Sequence, residues 1–177
     1  DPRIFIISPG SGIKEKHKRW PINYYSQIAN FIENNIPNSL ILVVGSASDK
    51  YLENHFKFSS RRIINLISKC GVEDLFSIYT ESFLVLTHCS GAAHIAALAN
   101  SNIFFFSGPT SFELTGPYSE KVRIFKSGAP CSPCYSKKTT EGCDYIGCTT
   151  QMELIRVETV KKAILNYCSE KKLINNI

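Results

Sequence analysis

Residues 83–108 read FLVLTHCSGAAHIAALANSNIFFFSG. An apolar run, 83–86, stops at Thr87. Ser90 and Gly91 follow, then an alanine-rich stretch with a single histidine, His94. A second apolar run, 103–106, closes in Ser-Gly. Strands buried on both faces read as continuous apolar runs, and alanine is the strongest helix former. The pattern therefore predicts a strand at 83–88, a helix at 91–100 and a strand at 103–108. Two such strands joined through a helix lie parallel in one sheet.

The same alternation extends in both directions. RIFIIS (3–8) is a first strand, closed by Pro9-Gly10. Pro21 stands where a helix accepts proline, in its first turn. Ile22, Tyr25, Ile28, Ala29 and Ile32 follow at helical spacing, so 22–35 is an amphipathic helix. LILVVG (40–45) is a buried strand. A short helix is expected at 48–56, a third strand at 62–67, a helix at 71–82, a sixth strand at 122–127 and a last helix at 157–173. A polar, basic loop fills 11–20, and a cysteine-rich loop spans 128–150. Strand and helix alternate throughout, with no internal repeat. The fold class is α/β: a Rossmann-like, doubly wound parallel sheet of about six strands, covered on both faces. In such sheets ligands bind beyond the carboxyl ends of the strands, near the point where strand order reverses.

The chain has 177 residues, 44% hydrophobic and 20% charged, with a net charge of +5. That is the composition of one folded domain, so 1–177 is read as a single unit. The positive charge is scattered, which argues against nucleic acid as a partner. No apolar stretch approaches the ~18 residues of a membrane span. The opening DPRIFIISPGSG lacks a basic n-region and a cleavage site, so no signal peptide is expected. Position 1 is not Met, which suggests a piece of a longer chain. Seven cysteines, an odd number, argue against a secreted disulfide framework. The expected compartment is cytoplasmic.

Four motifs carry possible chemistry. The start of the helix at Ser90-Gly91 would present unpaired N–H groups and a partial positive charge, which suit phosphate. Gly91 would let a ligand approach the backbone; His94, one turn in, could donate to the same anion. Equally, Ser90 could be a plain N-cap and His94 a packing residue. KEKHKRWP (14–21) places Lys14, Lys16, Lys18, Arg19 and His17 after the first strand. Its lysines could neutralise a diphosphate, or the segment is simply a solvated loop. Asp49, shortly after the second strand, could bond ribose hydroxyls or cap a helix. No G-x-G-x-x-G follows the first strand, which disfavours a dinucleotide dehydrogenase. Cys131, Cys134, Cys143 and Cys148 have the spacing C-x2-C-x8-C-x4-C. They could form a structural zinc site, two disulfides or free thiols. Cys70, Cys89 and Cys168 are read as free thiols.

Taken in order, these residues resemble the C-terminal half of glycosyltransferase family 9, the lipopolysaccharide heptosyltransferases. IISPGSG…KRWP is similar to the family's opening strand, small-residue loop and K-x-W-P. THCSGAAHIAALANSNIFFFSGPT is similar to its D-[ST]-G-x-x-H-x-A-A-A block followed by F-G-P-T. CSPCY…C…C and MELIRVETV are similar to its cysteine loop and closing helix. The resemblance implies one half of a GT-B architecture, the nucleotide-sugar donor domain, with the acceptor domain and its catalytic base in an N-terminal half that is absent. It implies an inverting transfer of heptose, from a donor such as ADP-heptose, to a lipid-linked lipopolysaccharide core acceptor. The setting would be bacterial and cytoplasmic, with at most peripheral contact at the inner face of the membrane. No cofactor is implied for catalysis, and the isolated piece is expected to be inactive. By resemblance Lys18 contacts donor phosphate and Asp49 the ribose. Ser90, Gly91 and His94 form the phosphate-binding helix start, and Ser11 lies near the phosphates. Two departures stand out. Cys89 occupies the place of the family's Asp, which keeps open a catalytically degenerate nucleotide-sugar binding module. Asn100-Ser101-Asn102 replaces the usual Gly and Pro.

Overall fold

Six strands, β1 (Arg3–Ser8), β2 (Ser39–Val43), β3 (Ile63–Asn65), β4 (Ser82–His88), β5 (Ile103–Ser107) and β6 (Val122–Lys126), form one sheet in a computed structural model. The structure describes residues 2–12, 14–56, 60–134, 148 and 150–172. Strand order is β3-β2-β1-β4-β5-β6 and every pairing is parallel. The chain builds outward from β1 to β3, returns to lay β4 on the other side of β1, then continues outward to β6. The reversal falls between β1 and β4, and there the loops leave the sheet in opposite directions and open a crevice.

Alternate strand residues face opposite layers. Phe5, Ile7, Leu84, Leu86, Phe104 and Phe106 pack with α1 (Ile22–Asn35) and α6 (Val157–Glu170). Ile6, Leu42, Val85 and Phe105 pack with α2 (Val72–Thr80) and α3 (Gly91–Leu98). Tyr25, Ile28, Ala29 and Ile32 form the buried stripe of α1 that their spacing predicts. Trp20 fastens the start of α1 to the core. It is buried, stacks on Phe106 at 4.3 Å between ring centroids and donates from Nε1 to the Ile155 carbonyl at 2.8 Å.

Several boundaries differ from the sequence reading. The expected third strand keeps only Ile63–Asn65, because the chain turns at Ser68, whose φ is 64°. The segment Ala47–Phe56 winds as 3₁₀ turns rather than as an α-helix, and a further 3₁₀ turn, Lys16–Lys18, interrupts the basic loop. Two four-residue helices, α4 (Phe112–Thr115) and α5 (Thr150–Glu153), are too short to leave a periodic signal. α3 stops two residues early. Asn100 adopts a left-handed φ of 58°, the Asn100 N–H bonds the Ala97 carbonyl and the Ser101 N–H bonds that of Ala96, both at 3.0 Å. This is a Schellman closure, and asparagine is the residue after glycine that best tolerates it. The departure at Asn100 therefore keeps the same helix stop.

Among the described residues no helix is long and apolar enough to cross a membrane.

Candidate functional site

β1 runs out into Ser8-Pro9-Gly10-Ser11-Gly12, β2 into Val44-Gly45-Ser46, and β4 into the start of α3. The three ends enclose a cavity of about 330 Å³ at the switch point. Gly10, Ser11 and Gly12 line it from β1, Ser46 and Asp49 from β2, and Ser90 and Gly91 from α3. Val72, Leu75 and Ile95 give it an apolar end. Four residues singled out in the sequence, Ser11, Asp49, Ser90 and Gly91, thus share one cavity. Lys18 and His94 do not line it.

Each takes a definite position. Ser90 is the N-cap of α3 by backbone conformation (φ −156°, ψ 167°), yet its side chain makes no capping hydrogen bond. The first-turn amides of α3 are left without that partner, which is the arrangement that favours an anion. Space is open beside Gly91: a Cβ there would meet nothing within 4 Å. Asp49 is only 5% exposed. Its Oδ2 accepts from the Ser46 N–H at 2.9 Å and the Ser46 hydroxyl at 2.7 Å. Its Oδ1 is buried with no hydrogen-bond partner, so one carboxylate oxygen fixes the loop and the other is left over for something else. Ser11 is engaged within its own loop. Its hydroxyl donates to the Glu15 carbonyl at 3.0 Å and accepts from Arg19 Nε at 2.9 Å. Lys18 pairs with Glu15. His94 is exposed on the outer side of α3.

Arg19, Ser8, Tyr79 and His88 were not among the candidates; Ser8 and Tyr79 line the cavity, Arg19 braces its β1 loop, and His88 lies behind it on the α1 side of the sheet. Arg19 Nη2 donates to the Ser11 and Gly12 carbonyls at 3.0 and 3.1 Å, and its guanidinium lies 5.1 Å over the Tyr51 ring. The loop between β1 and α1 is therefore shaped by an arginine that reads in sequence as one more basic residue. Tyr79 Oη and Ser8 Oγ are 2.7 Å apart beneath the cavity, and burial pushes the Tyr79 phenol up to about 12. His88, fully buried at the end of β4, has Nδ1 2.9 Å from Tyr25 Oη. Burial, with the positive charge of Arg19 adding to it, holds the imidazole down at about 3. A polar residue ending an apolar strand run was the available signal for His88.

Cys89 turns its sulfur toward α4, 3.5 Å from Thr115 Oγ1, and does not line the cavity. In the cysteine loop, Gln151 Nε2 donates to both Cys131 Sγ, at 3.2 Å, and Cys134 Sγ, at 3.1 Å. Cys148 is half-buried, and Cys143 lies outside the described residues. No disulfide joins the described cysteines. No group of three His, Cys, Asp or Glu side chains among the described residues could hold a metal ion.

A parallel sheet in this order, with its cavity at the reversal and an open helix start beside it, defines a Rossmann-like, doubly wound α/β fold. Residues 1–144 match the family model for glycosyltransferase family 9 (heptosyltransferase), and the chain belongs to that family. A lipooligosaccharide heptosyltransferase 2 of Haemophilus influenzae is 27% identical over 114 residues, which take in 62% of this chain and 32% of the relative. The structure of E. coli ADP-heptose lps heptosyltransferase II superposes with a TM-score of 0.77 at 19% identity, covering 97% of this chain and 48% of that one. The iron-containing dodecameric glycosyltransferase TibC from enterotoxigenic E. coli shares the fold with a TM-score of 0.68 at 11% identity, covering 96% of this chain and 46% of that one. The chain thus spans about half the length of these solved structures.

Proposed function

We propose that this chain is the nucleotide-sugar donor domain of an inverting glycosyltransferase. It would move heptose, from a donor such as ADP-heptose, to a lipopolysaccharide core acceptor held by a separate N-terminal half. The observation that carries the reading is the pairing, across one cavity, of an open helix start at Ser90-Gly91 with the unpartnered Oδ1 of Asp49. The helix start suits a diphosphate, and Asp49 Oδ1 suits a ribose hydroxyl. The apolar end at Val72, Leu75 and Ile95 suits a nucleobase. Membership of the family supports the same assignment.

In the transfer, the acceptor oxygen attacks the anomeric carbon and a base in the other half takes its proton. The bond from that carbon to the diphosphate breaks, and the nucleoside diphosphate departs. Charge builds on the diphosphate, and the α3 amides stabilise it most when it is largest. Lys18 would join them by exchanging Glu15 for phosphate, and His94 by turning inward from the rim. The reading requires no catalytic metal. It places the protein in the cytoplasm, with peripheral membrane contact through its acceptor. Calorimetric titration with ADP, UDP, GDP and CDP tests it. Selective binding of ADP, weakened in Lys18→Ala and His94→Ala, is expected; absence of binding by every diphosphate would overturn it.

A second reading, a binding module that no longer transfers sugar, is favoured by Cys89 alone. It predicts diphosphate binding with no sugar transfer even when the acceptor-binding half is supplied.

The loop of Cys131, Cys134, Cys143 and Cys148 is the proposed place of a structural metal, zinc by its all-thiolate chemistry. Two observations support it. Gln151 gathers the sulfurs of Cys131 and Cys134 around one amide nitrogen, as outer partners of metal-bound thiolates do. TibC, which shares the fold, is described as iron-containing. Metal analysis of the protein purified without chelator should return about one ion per chain, and its identity decides between zinc and iron.

A further inference from the structure

A second cavity, of about 340 Å³, opens beyond the same strand ends, beside the start of α1. Pro9 and Arg19 enter its wall from the segment after β1, and Tyr51, Leu52 and His55 enter from the 3₁₀ turns after β2. It shares no lining residue with the switch-point cavity. Ser8 and Gly10 line that one and Pro9 lines this one, so the loop after β1 divides them. Arg19 belongs to the divide. Its Nε and Nη2 hold Ser11 and Gly12, which line the first cavity, while its guanidinium lies over the Tyr51 ring in the wall of the second.

The wall has two kinds of chemistry. Trp20 and Leu52, buried, give an apolar floor, and Tyr51, 48% exposed, gives an open aromatic side. Lys16, Arg19 and His55 are the basic groups, and Glu153 is the carboxylate. Lys16 and Arg19 together outweigh Glu153, so the cavity is net positive. Among the described residues neither the Lys16 ammonium nor the His55 ring has a hydrogen-bond or ion-pair partner. A solvated basic loop accounts for charge alone, but not for charge gathered round a concave apolar floor. The volume is that of a small-molecule site. The floor and Tyr51 suit a ring, and the cations suit a carboxylate or phosphate attached to it.

We propose that this second cavity binds an anionic sugar unit of the acceptor, one that carries a carboxylate or a phosphate. Lys16, Arg19 and His55 take the anion, and Tyr51 packs against the ring. The inference rests on the glycosyltransferase reading. A transferase brings two substrates to one edge of the sheet, and here two cavities lie on either side of one loop at that edge. The domain then grips the acceptor as well as the donor, while the catalytic base stays in the other half.

Trp20 is the chain's only tryptophan and lines the second cavity but not the first, so its fluorescence reports this site. The 177-residue chain is titrated with glucose 6-phosphate, glucuronate, glucose and inorganic phosphate, each with and without saturating ADP. Glucose 6-phosphate or glucuronate should change Trp20 emission saturably. Glucose and inorganic phosphate, each lacking half of the ligand, should bind about tenfold more weakly. Lys16 and His55 are both exposed, so their replacement leaves the core intact. The double variant Lys16→Ala/His55→Ala should weaken the anionic sugar by about tenfold and leave ADP affinity, read by calorimetry, as in wild type. No saturable change with either anionic sugar, glucose or phosphate binding equally well, a double variant that binds like wild type, or displacement by ADP each overturns the proposal. If ADP binds and the anionic sugars do not, the donor reading stands and this proposal falls. If the anionic sugars bind and ADP does not, the donor reading falls and the assignment to an acceptor falls with it.

Discussion

The carboxylate of Asp49 lies directly against Gly10. A methyl group on that glycine would stand 2.3 Å from the carboxylate carbon and 2.4 Å from each oxygen. No real side-chain carbon survives at such distances, so position 10 must be glycine while Asp49 stays where it is. In Gly10→Ala, either Asp49 swings away and loses its two bonds to Ser46, or the turn moves off the cavity. Such overpacking typically costs about 1–3 kcal/mol. Urea unfolding should show a loss in that range, and ADP binding should weaken by about tenfold or more. A variant of wild-type stability and affinity would mean that the contact yields freely.

The leftover oxygen of Asp49 gives a prediction of its own. A hydroxyl donating to a charged carboxylate contributes about 1.5–3 kcal/mol. Wild type should therefore prefer ADP to 2′-deoxy-ADP or to 3′-deoxy-ADP by about tenfold. Asp49→Ala should bind all three alike. A preference that survives Asp49→Ala would assign the ribose to another group.

His88 makes stability depend on pH, and the sign follows from where the proton goes. The folded protein holds the ring at about 3, against an ordinary value of 6.5. Below pH 6.5 the unfolded chain takes up a proton that the folded chain refuses. Stability is therefore complete above pH 6.5 and falls as pH drops, by about 1.4 kcal/mol per pH unit, until the folded ring protonates near 3. Between pH 7 and pH 5 the loss is about 2 kcal/mol. His17 is pushed in the same direction by burial, so the wild-type curve contains both. Urea titrations of wild type and His88→Gln at pH 7, 6 and 5 isolate His88. The variant should lose about 2 kcal/mol less over that range, and parallel curves would show that the ring is already charged or exposed.

The elements legible in the sequence were those with long repeating patterns. The long strand runs and the stripe of α1 each extend over several residues and lie where their patterns put them, as does the start of α3 after Ser90, whereas the third strand shrinks to Ile63–Asn65. Fold class followed from those runs, because strands buried on both faces leave no other covering. What escaped notice depends on side-chain partners that only the folded chain brings together. Arg19 reads as one of several basic residues, and its role appears only when the Ser11 and Gly12 carbonyls fold back onto it. His88 needs Tyr25, 63 positions away, before it is more than a polar strand end. Lys18 needs the fold as well: its motif suggested a phosphate ligand, and the structure pairs it with Glu15, three residues back, a partner it would exchange for phosphate in the proposed site. Local pattern reports burial and backbone conformation well, whereas the partner of a charged side chain is settled by tertiary geometry.

Cys89 occupies the position where the family resemblance leads one to expect aspartate, and it separates a working donor site from a reduced one. A thiol is a weak hydrogen-bond donor and a weak acceptor; a carboxylate accepts strongly from sugar hydroxyls. Cys89→Asp would also bring a negative charge near the diphosphate, which opposes binding of any nucleotide. The two effects separate in a ratio. Diphosphate repulsion acts on ADP and ADP-heptose alike and cancels, whereas a bond to the sugar acts on ADP-heptose alone. Wild type, with its sulfur turned to Thr115, should bind the two with similar affinity. Cys89→Asp should shift the ratio toward ADP-heptose by about five- to tenfold, read by competitive titration at fixed salt. An unchanged ratio would mean that position 89 does not face the sugar. A wild-type ratio already favouring ADP-heptose would mean that other residues grip the sugar and that the cysteine marks no loss.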